Sequence, residues 1–543
     1  MKYSVGMSEN AVAVNHKVKS VEEKPYDDFV FGKYTTLRNY IRKADLFLSL
    51  QAIWAHCNHQ QLKNFELPKF ITGEPPKYRS AGSQEVVLQY GLAPWELEII
   101  ARELLIHAPV IGGSKNFCIW DHLSGAVNKL KSLENDIGGR YITVENVLNE
   151  TKRISHRQFP WQQIPNLNKM IRYWKIYSKL SSHFEGVFSV SFSHFYAITM
   201  SLFGTFTHQF ALTYPPRVEL GSINMDTLVL VLQLVSLDYL DIKQKLKSEL
   251  SMFHDYVYAY NSLIGYPLIK IDFGNKTYLT CPLPTLFLNR ITDGVYYNLI
   301  DDRNINADKI KNDLGSAFQS YVGEYITATT ESTLRLLPEQ RYGSSHHRKD
   351  TVDWVAIDHN NDALFIECKS KRMTTLAKAE LDDGGQLDND LSLLAEAIKQ
   401  AYERLLDYQN GMYPSLFVKT RRQFIVIATL EEWYLFGDFL NVRLNELVKE
   451  KLIQAKIDLS ILEKSPFFIA STSTIEQLSH ILAKHKIEDI FDELVVDRDK
   501  RLWHIDTYIL KKYRELLNNS NNPFDREFNE FVENTIRGLQ VPT

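Results

Sequence analysis

The sequence has only four cysteines, Cys57, Cys118, Cys281 and Cys368, and no two of them form a CxxC pair. Cysteines so far apart argue against a disulfide scaffold and favour reduced thiols inside a cell. The first 24 residues also lack the apolar run of a secretory signal. These absences together predict a cytoplasmic protein.

The chain also lacks the charge and the motifs of several function classes. Its net charge is -4, with 62 Lys and Arg against 66 Asp and Glu, so any nucleic-acid contact needs a local basic cluster. No GxxxxGK[ST] motif occurs, and no ATP site is predicted. Residues 186–216 contain no Asp, Glu, Lys or Arg, but Ser, Thr, His and Gln interrupt the run. This pattern favours a buried helix over a membrane span, and no membrane partner is expected.

The patterning divides the chain into four segments. Residues 1–25 are polar and are expected to be flexible. Residues 26–265 place apolar residues every three or four positions, which predicts a mainly α-helical recognition or regulatory domain. Residues 266–312 are expected to hold two short strands around the turn FGNK and a charged connector. Residues 313–543 alternate between helical and strand patterns, which predicts an α/β domain with a mixed sheet.

Two acids and a lysine take corresponding positions in a predicted hairpin of that last segment. VDWVAID and ALFIECKS have the pattern of strands, and HNND between them has the composition of a turn. A turn centred on Asn360 places Asp353 opposite Glu367, and Lys369 shares the face of Glu367 because side chains alternate along a strand.

A divalent metal ion fits this pattern. Two carboxylates that close are unfavourable without a cation between them, and Mg²⁺ prefers oxygen ligands. Asp353 and Glu367 are therefore the predicted ligands of Mg²⁺ or Mn²⁺, with the backbone carbonyl of Cys368 as a further ligand. The alternative is a surface hairpin with a salt bridge between Glu367 and Lys369. It explains poorly why charged residues end an apolar strand opposite Asp353.

The segment VDWVAIDHNNDALFIECKSKR resembles the core hairpin of the PD-(D/E)xK, or restriction-endonuclease-like, nuclease superfamily. The usual pattern of an Asp, a spacer and (D/E)-x-K is matched by Asp353 and by Glu367-Cys368-Lys369, although Val352 replaces the usual proline. The resemblance implies a restriction-endonuclease-like fold in which the acids bind Mg²⁺ and Lys369 orients or polarises the attacking water.

Two flanking helices extend the resemblance over about 314–470. Superfamily members often carry an acid on the helix before the hairpin. The similar segment LGSAFQSYVGEYI has Gln319 at the commonest position, so Glu324 becomes the candidate ligand. Many RecB-like members carry a Gln and a Tyr on the helix after the hairpin. IKQAYERLLDY resembles that helix, with Gln400 as a candidate catalytic residue and Tyr402 as a candidate nucleic-acid contact.

Basic residues flank the hairpin. They are Arg341, His346, His347, Arg348 and Lys349 before it, Lys371 and Arg372 after it, and Arg421 and Arg422 at the start of the next strand. Cations beside a metal site hold the phosphate backbone without reading sequence. Arg348, Lys349, Lys371 and Arg372 are the predicted nucleic-acid contacts, and ordinary solvated loops are the alternative.

These features predict a metal-dependent deoxyribonuclease. Stand-alone nucleases of bacterial antiphage defence or restriction are the nearest analogy, and a DNA repair nuclease is the related alternative. DNA is the expected partner. A second copy of the chain is a further expected partner, since cutting both DNA strands generally needs two active sites. A defence-system protein is another. The alternative from another class is a catalytically silent module with this fold that binds nucleic acid or a partner protein. RNA ranks lower as a substrate, because no RNP-like strand occurs.

Overall fold

The computed structural model describes residues 25–162, 167–216, 223–301, 304, 306–344, 347–382, 384–415, 417–435, 437–496 and 505–537. The expectations for residues 1–24 and for His346 lie outside the described residues.

In the described residues nine helices precede the first strand, and helices and short strands are interspersed from there to β11. In chain order they are α1 (Asp28–Ile41), α2 (Leu46–Gln61), α3 (Ser83–Tyr90), α4 (Pro94–His107), α5 (Trp120–Tyr141), α6 (Val147–Gln162), α7 (Leu167–Ser178), α8 (Ser181–Phe188), α9 (Phe192–His208), α10 (Met225–Val235), α11 (Tyr239–Glu249), α12 (Pro284–Ile291), α13 (Asp293–Leu299), α14 (Ala307–Thr330), α15 (Thr375–Ala379), α16 (Gln386–Gln409), α17 (Gly437–Gln454), α18 (Ile461–Lys464), α19 (Thr472–Leu482), α20 (Ile487–Val496), α21 (Ile505–Lys512), α22 (Arg514–Asn518) and α23 (Asp525–Arg537).

The strands form three sheets. They are β1 (Ala211–Thr213), β2 (Ser236–Asp238), β3 (Leu268–Phe273), β4 (Lys276–Thr280), β5 (Leu334–Pro338), β6 (Arg341–Ser344), β7 (His347–Asp350), β8 (Trp354–Asp358), β9 (Asp362–Lys369), β10 (Arg422–Thr429) and β11 (Phe467–Ser471). The strand orders are β1-β4-β3-β2, β11-β10-β9-β8-β5 and β6-β7.

Packing divides the chain into two compact units that are each assembled from separate segments. Unit 1 takes its residues from Met1–Tyr141, Thr199–Val218 and Leu228–Asp301. Unit 2 takes its residues from Ile142–Ile198, Glu219–Thr227 and Asp302–Thr543. These units differ from the predicted domains 26–265 and 313–543, because α6, α7 and α8 pack with C-terminal residues.

Unit 1 contains a small sheet that sequence patterning anticipated only in part. The hairpin of β3 and β4 is the pair of strands expected around FGNK, and Ile269 pairs with Thr280 at its open end. β1 and β2 come from residues expected to be helical, and they flank this hairpin on its two sides. The predicted connector 266–312 therefore contributes strands to unit 1, and its last residues begin α14.

Unit 2 is built on the five-stranded sheet. β9, β10 and β11 are parallel, whereas β8 and β5 run antiparallel to their neighbours. This arrangement confirms the predicted α/β fold with a mixed sheet. Buried residues of β8, β9 and β10 pack with α16 and α17 in one hydrophobic core, which includes Val355, Phe365, Ile425, Leu405 and Val448.

The turn between β8 and β9 sets the register of the central hairpin. Asn361 has a φ of 62°, a backbone conformation that asparagine tolerates better than most residues. The Asp358 carboxylate accepts the backbone N–H of Asn360 at 2.9 Å and that of Asp362 at 3.0 Å. A carboxylate bonded to its own turn in this way holds the turn at one position in the chain.

A second hairpin, not anticipated from the sequence, precedes β8. β6 and β7 pair with each other, so that Arg341 lies opposite Asp350 and Ser344 opposite His347. At the base of the hairpin, the Thr351 backbone N–H donates to the Gln340 carbonyl at 3.0 Å. Arg341, His347, Arg348 and Lys349 therefore lie on a β-hairpin.

No single helix among the described residues is long and apolar enough to cross a membrane. One pair passes the length and composition criteria jointly, Ser181–Phe188 with Phe192–His208, and its two helices are bent by 78°. This pair contains most of the uncharged run that was expected to form a buried helix.

Candidate active site

The ends of β8 and β9 bring the two predicted acids together. Trp354 pairs with Ile366 and Val355 with Phe365, so one further step along both strands places Asp353 opposite Glu367. The Cys368 backbone N–H donates to Asp353 Oδ2 at 2.6 Å. Because residues two apart share a face, Glu367 and Lys369 lie on the same side of β9 as Phe365, which packs toward α16.

Glu367 lies between two cations. The residue is 2 % exposed, and the Lys369 ammonium donates to Oε1 at 2.9 Å. Arg404 of α16 donates from Nη1 to the other oxygen, Oε2. Sequence analysis identified Lys369 and missed Arg404. The available signal was helical spacing, because Arg404 lies one turn after Gln400 and shares its face of α16.

The pKa of Asp353 is raised, as expected for a carboxyl group that is buried beside another acid. Burial, followed by the nearby negative charge of Glu367, raises the pKa of Asp353 to about 7. The hydrogen bond from the Cys368 backbone opposes this shift, and the charge of Glu339 adds to it. A positive charge near Asp353 would relieve the repulsion and bring the pKa down.

Glu339 is a third acid at this edge of the sheet. Pro338 of β5 pairs with Trp354, so the next residue, Glu339, lies opposite Asp353 on the strand neighbour away from Glu367. The Gln319 side-chain amide of α14 donates to Glu339 Oε2 at 3.2 Å. Sequence analysis missed Glu339 because β5 was not predicted, and only the neighbouring strand reveals its position.

The donors fit a hard divalent cation in kind. Carboxylate oxygens are the ligands that Mg²⁺ prefers, and it commonly takes only one or two of them, with water and substrate completing its shell. A bound cation would lower the raised pKa of Asp353. To become a metal ligand, Glu367 would have to give up its contact with Arg404 or with Lys369. Among the described residues, no group of three or more His, Cys, Asp or Glu side chains is placed to hold a metal ion.

Glu324, the candidate acid on α14, contacts other partners. It accepts hydrogen bonds from Ser320 and Lys179, and its second oxygen lies 3.7 Å from the Lys175 ammonium. Five residues along a helix rotate a side chain by about 140°, so Glu324 and Gln319 point in different directions. Glu339, and not Glu324, is therefore the further acid whose charge acts on Asp353.

Two of the predicted contacts are buried. The Tyr402 side chain is fully buried in the core and its hydroxyl donates to the Ser465 carbonyl at 2.9 Å. Arg372 is 4 % exposed, 3.3 Å from the Tyr173 hydroxyl and 3.9 Å from the Glu431 carboxylate. Both expectations of nucleic-acid contact are corrected, because neither side chain reaches the surface.

The remaining predicted residues are spread around the site. Gln400 donates only a long 3.5 Å hydrogen bond to Glu396 of its own helix. Lys371 is exposed and lies 3.9 Å from Asp390. Arg348 and Lys349 are exposed on β7, beside Asp353 in the chain.

Arg421 and Arg422 lie at the opposite end of the sheet. β10 runs parallel to β9, with Arg422 paired to Asp362 and Thr429 to Lys369. Seven residues of strand separate the two ends by about 23 Å. Arg421 forms ion pairs with Asp362 and Glu488, both at 2.6 Å. These two arginines therefore belong to the turn end of the hairpin and are not neighbours of the candidate site.

The β6–β7 hairpin is tied to the helix that carries Arg404. The Tyr342 hydroxyl and the Lys349 ammonium both donate to Asp407 Oδ2, at 2.6 and 2.7 Å. Asp407 follows Arg404 by three residues on α16, which places both on neighbouring positions of one helix face. The exposed cations of the hairpin and the buried carboxylate Glu367 are thus held by the same helix.

No protein-family model, no curated protein and no solved structure matches this chain.

Proposed function

We propose that this protein is a metal-dependent nuclease that hydrolyses DNA phosphodiester bonds at the end of the β8–β9 hairpin. The supporting observation is that Asp353 lies opposite Glu367 there, and that Lys369 lies on the same face and contacts Glu367. The raised pKa of Asp353 supports a bound cation, since two acids this close disfavour each other without one. The resemblance to the PD-(D/E)xK superfamily supplies the reaction type.

Each residue has a role that follows from its surroundings. A divalent cation at this site would supply an activated water and neutralise the phosphate. Asp353 would hold it, and Glu367 would share it after releasing one of its two protein cations. Lys369 is 32 % exposed at its side chain, so its ammonium can reach solvent and orient a water molecule near the carboxylates.

The β6–β7 hairpin offers the nearest surface for the phosphate backbone. Arg348 and Lys349 are exposed on β7, and Lys371 is exposed after β9. Phosphate contacts of this kind position a nucleic acid without reading its bases. Lys349, whose side chain is 54 % exposed, would exchange its ion pair with Asp407 for a phosphate, and Asp407 would keep its hydrogen bond from the Tyr342 hydroxyl.

A catalytically silent, nucleic-acid-binding module is the second candidate, and one observation favours it. Both oxygens of Glu367 already contact protein cations, Lys369 and Arg404. A carboxylate neutralised from within needs no metal ion to be stable in the fold. In that case the protein would bind DNA and cut nothing.

Cleavage of supercoiled plasmid and linear DNA tests the proposal, with Mg²⁺ or Mn²⁺ and with EDTA. We expect metal-dependent cutting by the wild type and a loss of at least about 100-fold in Lys369→Ala and Asp353→Asn, the size associated with removing a charge-stabilising group. Lys419→Ala is the matched control, because Lys419 is an exposed lysine near the far end of β10.

Metal binding separates the two candidates. Under the nuclease proposal, Mn²⁺ raises the melting temperature of the wild type and not that of Glu367→Ala. If Mn²⁺ leaves the melting temperature of the wild type unchanged and the plasmid stays uncut, the nuclease proposal is contradicted and the silent module is favoured.

A further inference from the structure

Five basic side chains surround the C-terminal end of α1 in unit 1. They are Arg42, Lys43, Lys115, Lys129 and Lys247, and they are called the α1 cluster below. Arg42 and Lys43 directly follow α1. The Lys115 backbone N–H donates to the Lys43 carbonyl at 2.8 Å, which fixes these two residues side by side. Lys129 lies on α5. Lys247 lies near the end of α11, and its charge and that of Arg42 both act on His107 at the end of α4.

The side chains of the α1 cluster are not paired with acids in the described residues, although the charge of Asp121 reaches Tyr40. Within the described part of the chain, none of its five side chains forms an ion pair, whereas other lysines of unit 1 do. The buried Asp45 carboxylate, next to Lys43 in the chain, accepts the backbone N–H groups of Leu48 and Gly112 and so caps α2. In a chain of net charge -4, this surface is a local excess of positive charge.

Tyr40 positions two of these cations. The Lys115 ammonium lies 4.6 Å and the Lys129 ammonium 5.3 Å from the centre of the Tyr40 ring. The Tyr40 hydroxyl donates to the His122 carbonyl at 3.0 Å, which holds the ring in place. A ring already engaged by two ammonium groups is not free to stack on a base. The arrangement therefore favours phosphate over base recognition.

Helix electrostatics account for only part of the α1 cluster. Cations are stabilised near a helix C-terminus, and this effect extends over about the last turn. Arg42 and Lys43 fit that explanation. Lys115, Lys129 and Lys247 come from other segments, so the α1 dipole alone does not explain their convergence.

We propose that the α1 cluster binds the phosphate backbone of double-stranded DNA without sequence preference, which makes unit 1 a DNA-binding part of the protein. The identity of the polyanion rests on the proposed nuclease function. The binding itself is independent of cleavage and can be measured without a metal ion.

The test compares two double variants of the full chain by fluorescence anisotropy with a labelled duplex in EDTA, over a series of salt concentrations. Lys115→Glu with Lys129→Glu removes the pair held by Tyr40. Lys63→Glu with Lys69→Glu makes the same charge change on exposed lysines beyond the far end of α2, whose 16 residues span about 24 Å.

The α1 variant should bind at least about 10-fold more weakly than the wild type, and its slope of log K against log salt should be shallower by about 2. The control variant should bind within about 2-fold of the wild type, since it leaves the backbone contacts intact. If Lys115→Glu with Lys129→Glu fails to melt cooperatively, Lys115→Gln with Lys129→Gln gives the same readout with less disturbance.

Three results would overturn the proposal. They are unchanged binding in the α1 variant, equal weakening in both variants, and binding to vesicles rich in phosphatidylserine in place of DNA. Asp353→Asn separates this proposal from the nuclease. If the wild type cuts nothing but Asp353→Asn binds with the full salt slope, the nuclease fails and the α1 cluster stands. If the wild type cuts DNA and the α1 variant binds like the wild type, the nuclease proposal stands and the α1 cluster proposal fails.

Discussion

Glu367 shows how one side chain can join a strand, a helix and a candidate metal site. It is 2 % exposed and contacts Lys369 from its own strand and Arg404 from α16. A buried carboxylate is costly unless its charge is compensated. The two cations therefore stabilise the fold whether or not a metal ion binds.

Arg404→Ala should leave Glu367 with a single cation. We expect the free energy of unfolding to fall by about 2–4 kcal/mol in EDTA, because the buried carboxylate loses one of the two cations that compensate its charge. Mn²⁺ should restore part of this loss, since a divalent cation can take the place of the guanidinium. Urea unfolding with and without Mn²⁺ measures both effects.

Arg443→Ala is the control for that variant. Arg443 pairs with Asp388, and these two side chains are 35 % and 38 % exposed, so its loss should cost no more than about 1 kcal/mol. Equal destabilisation of the two variants would contradict the importance assigned to Arg404.

Asp353 should make stability depend on pH. Its pKa is raised from 3.8 to about 7, so the folded state holds this proton more tightly than the unfolded state. The free energy of unfolding without metal should therefore fall as pH rises from about 4 to about 7, by at most about 1.4 kcal/mol per pKa unit. Asp353→Asn should remove this fall, as seen by urea unfolding in EDTA.

The control for the pH series is Asp350→Asn, since Asp350 pairs with Arg341 on the β6–β7 hairpin. Its pH profile should match that of the wild type. Metal binding should also release a proton and strengthen as pH rises toward about 7, because the metal needs the ionised carboxylate. A flat profile in the wild type would show that Asp353 does not titrate in this range.

At the scale of elements, α14 is held against the sheet at one glycine. A Cβ on Gly323 would lie 2.0 Å from Cζ2 of Trp354 on β8, and the Trp354 indole N–H donates to the Gln319 carbonyl at 3.0 Å. The helix can approach the sheet this closely only because position 323 has no side chain. The same approach brings Gln319 within reach of Glu339.

Gly323→Ala should lower the free energy of unfolding by about 2–4 kcal/mol, as overpacking outweighs the better helix propensity of alanine. Gly315→Ala on the same helix is the matched control, since its Cβ would meet only Ser370 Oγ at 3.8 Å. The control should be stabilised by up to about 1 kcal/mol. Thermal unfolding compares the two, and stabilisation of both would contradict the contact with Trp354.

Element boundaries show where sequence patterning succeeded and where it stopped. β8, β9 and β10 were anticipated because each is a short apolar run between turn residues. β5 was missed because it is only five residues long and ends in a proline, and the β6–β7 hairpin was missed because its residues are mostly polar and basic. Glu339 was missed with them, since a residue's neighbour across a sheet is set by strand order and not by local composition.

At the scale of the whole molecule, unit 2 is closed by helices from the first half of the chain. Arg172 of α7 donates two hydrogen bonds to Glu476 of α19, at 2.6 and 2.7 Å. The Tyr321 hydroxyl of α14 donates to the same carboxylate at 2.7 Å. One carboxylate thereby joins three helices that are far apart in sequence, and α7 becomes part of the fold that carries the candidate site.

Arg172→Ala should destabilise the protein by about 3–5 kcal/mol, because it leaves the buried Glu476 without its cation. Arg172→Met should cost less, since its side chain still fills part of the space. Lys33→Ala is a control, as its pair with Asp136 is exposed and worth about 1 kcal/mol or less. Urea unfolding ranks the three, and an Arg172→Ala value near that of Lys33→Ala would argue against α7 as an integral part of unit 2.

The sequence by itself determined the central hairpin and the meeting of Asp353 with Glu367 and Lys369. Strand alternation and a turn that bonds to its own carboxylate are local properties, and together they set the register. Tertiary structure alone decided that Arg404 reaches Glu367, that Glu339 stands beside Asp353, that Arg372 and Tyr402 are buried, and that α6, α7 and α8 join unit 2. These outcomes depend on which distant surfaces pack together, and helical or strand periodicity marks a buried face without naming its partner.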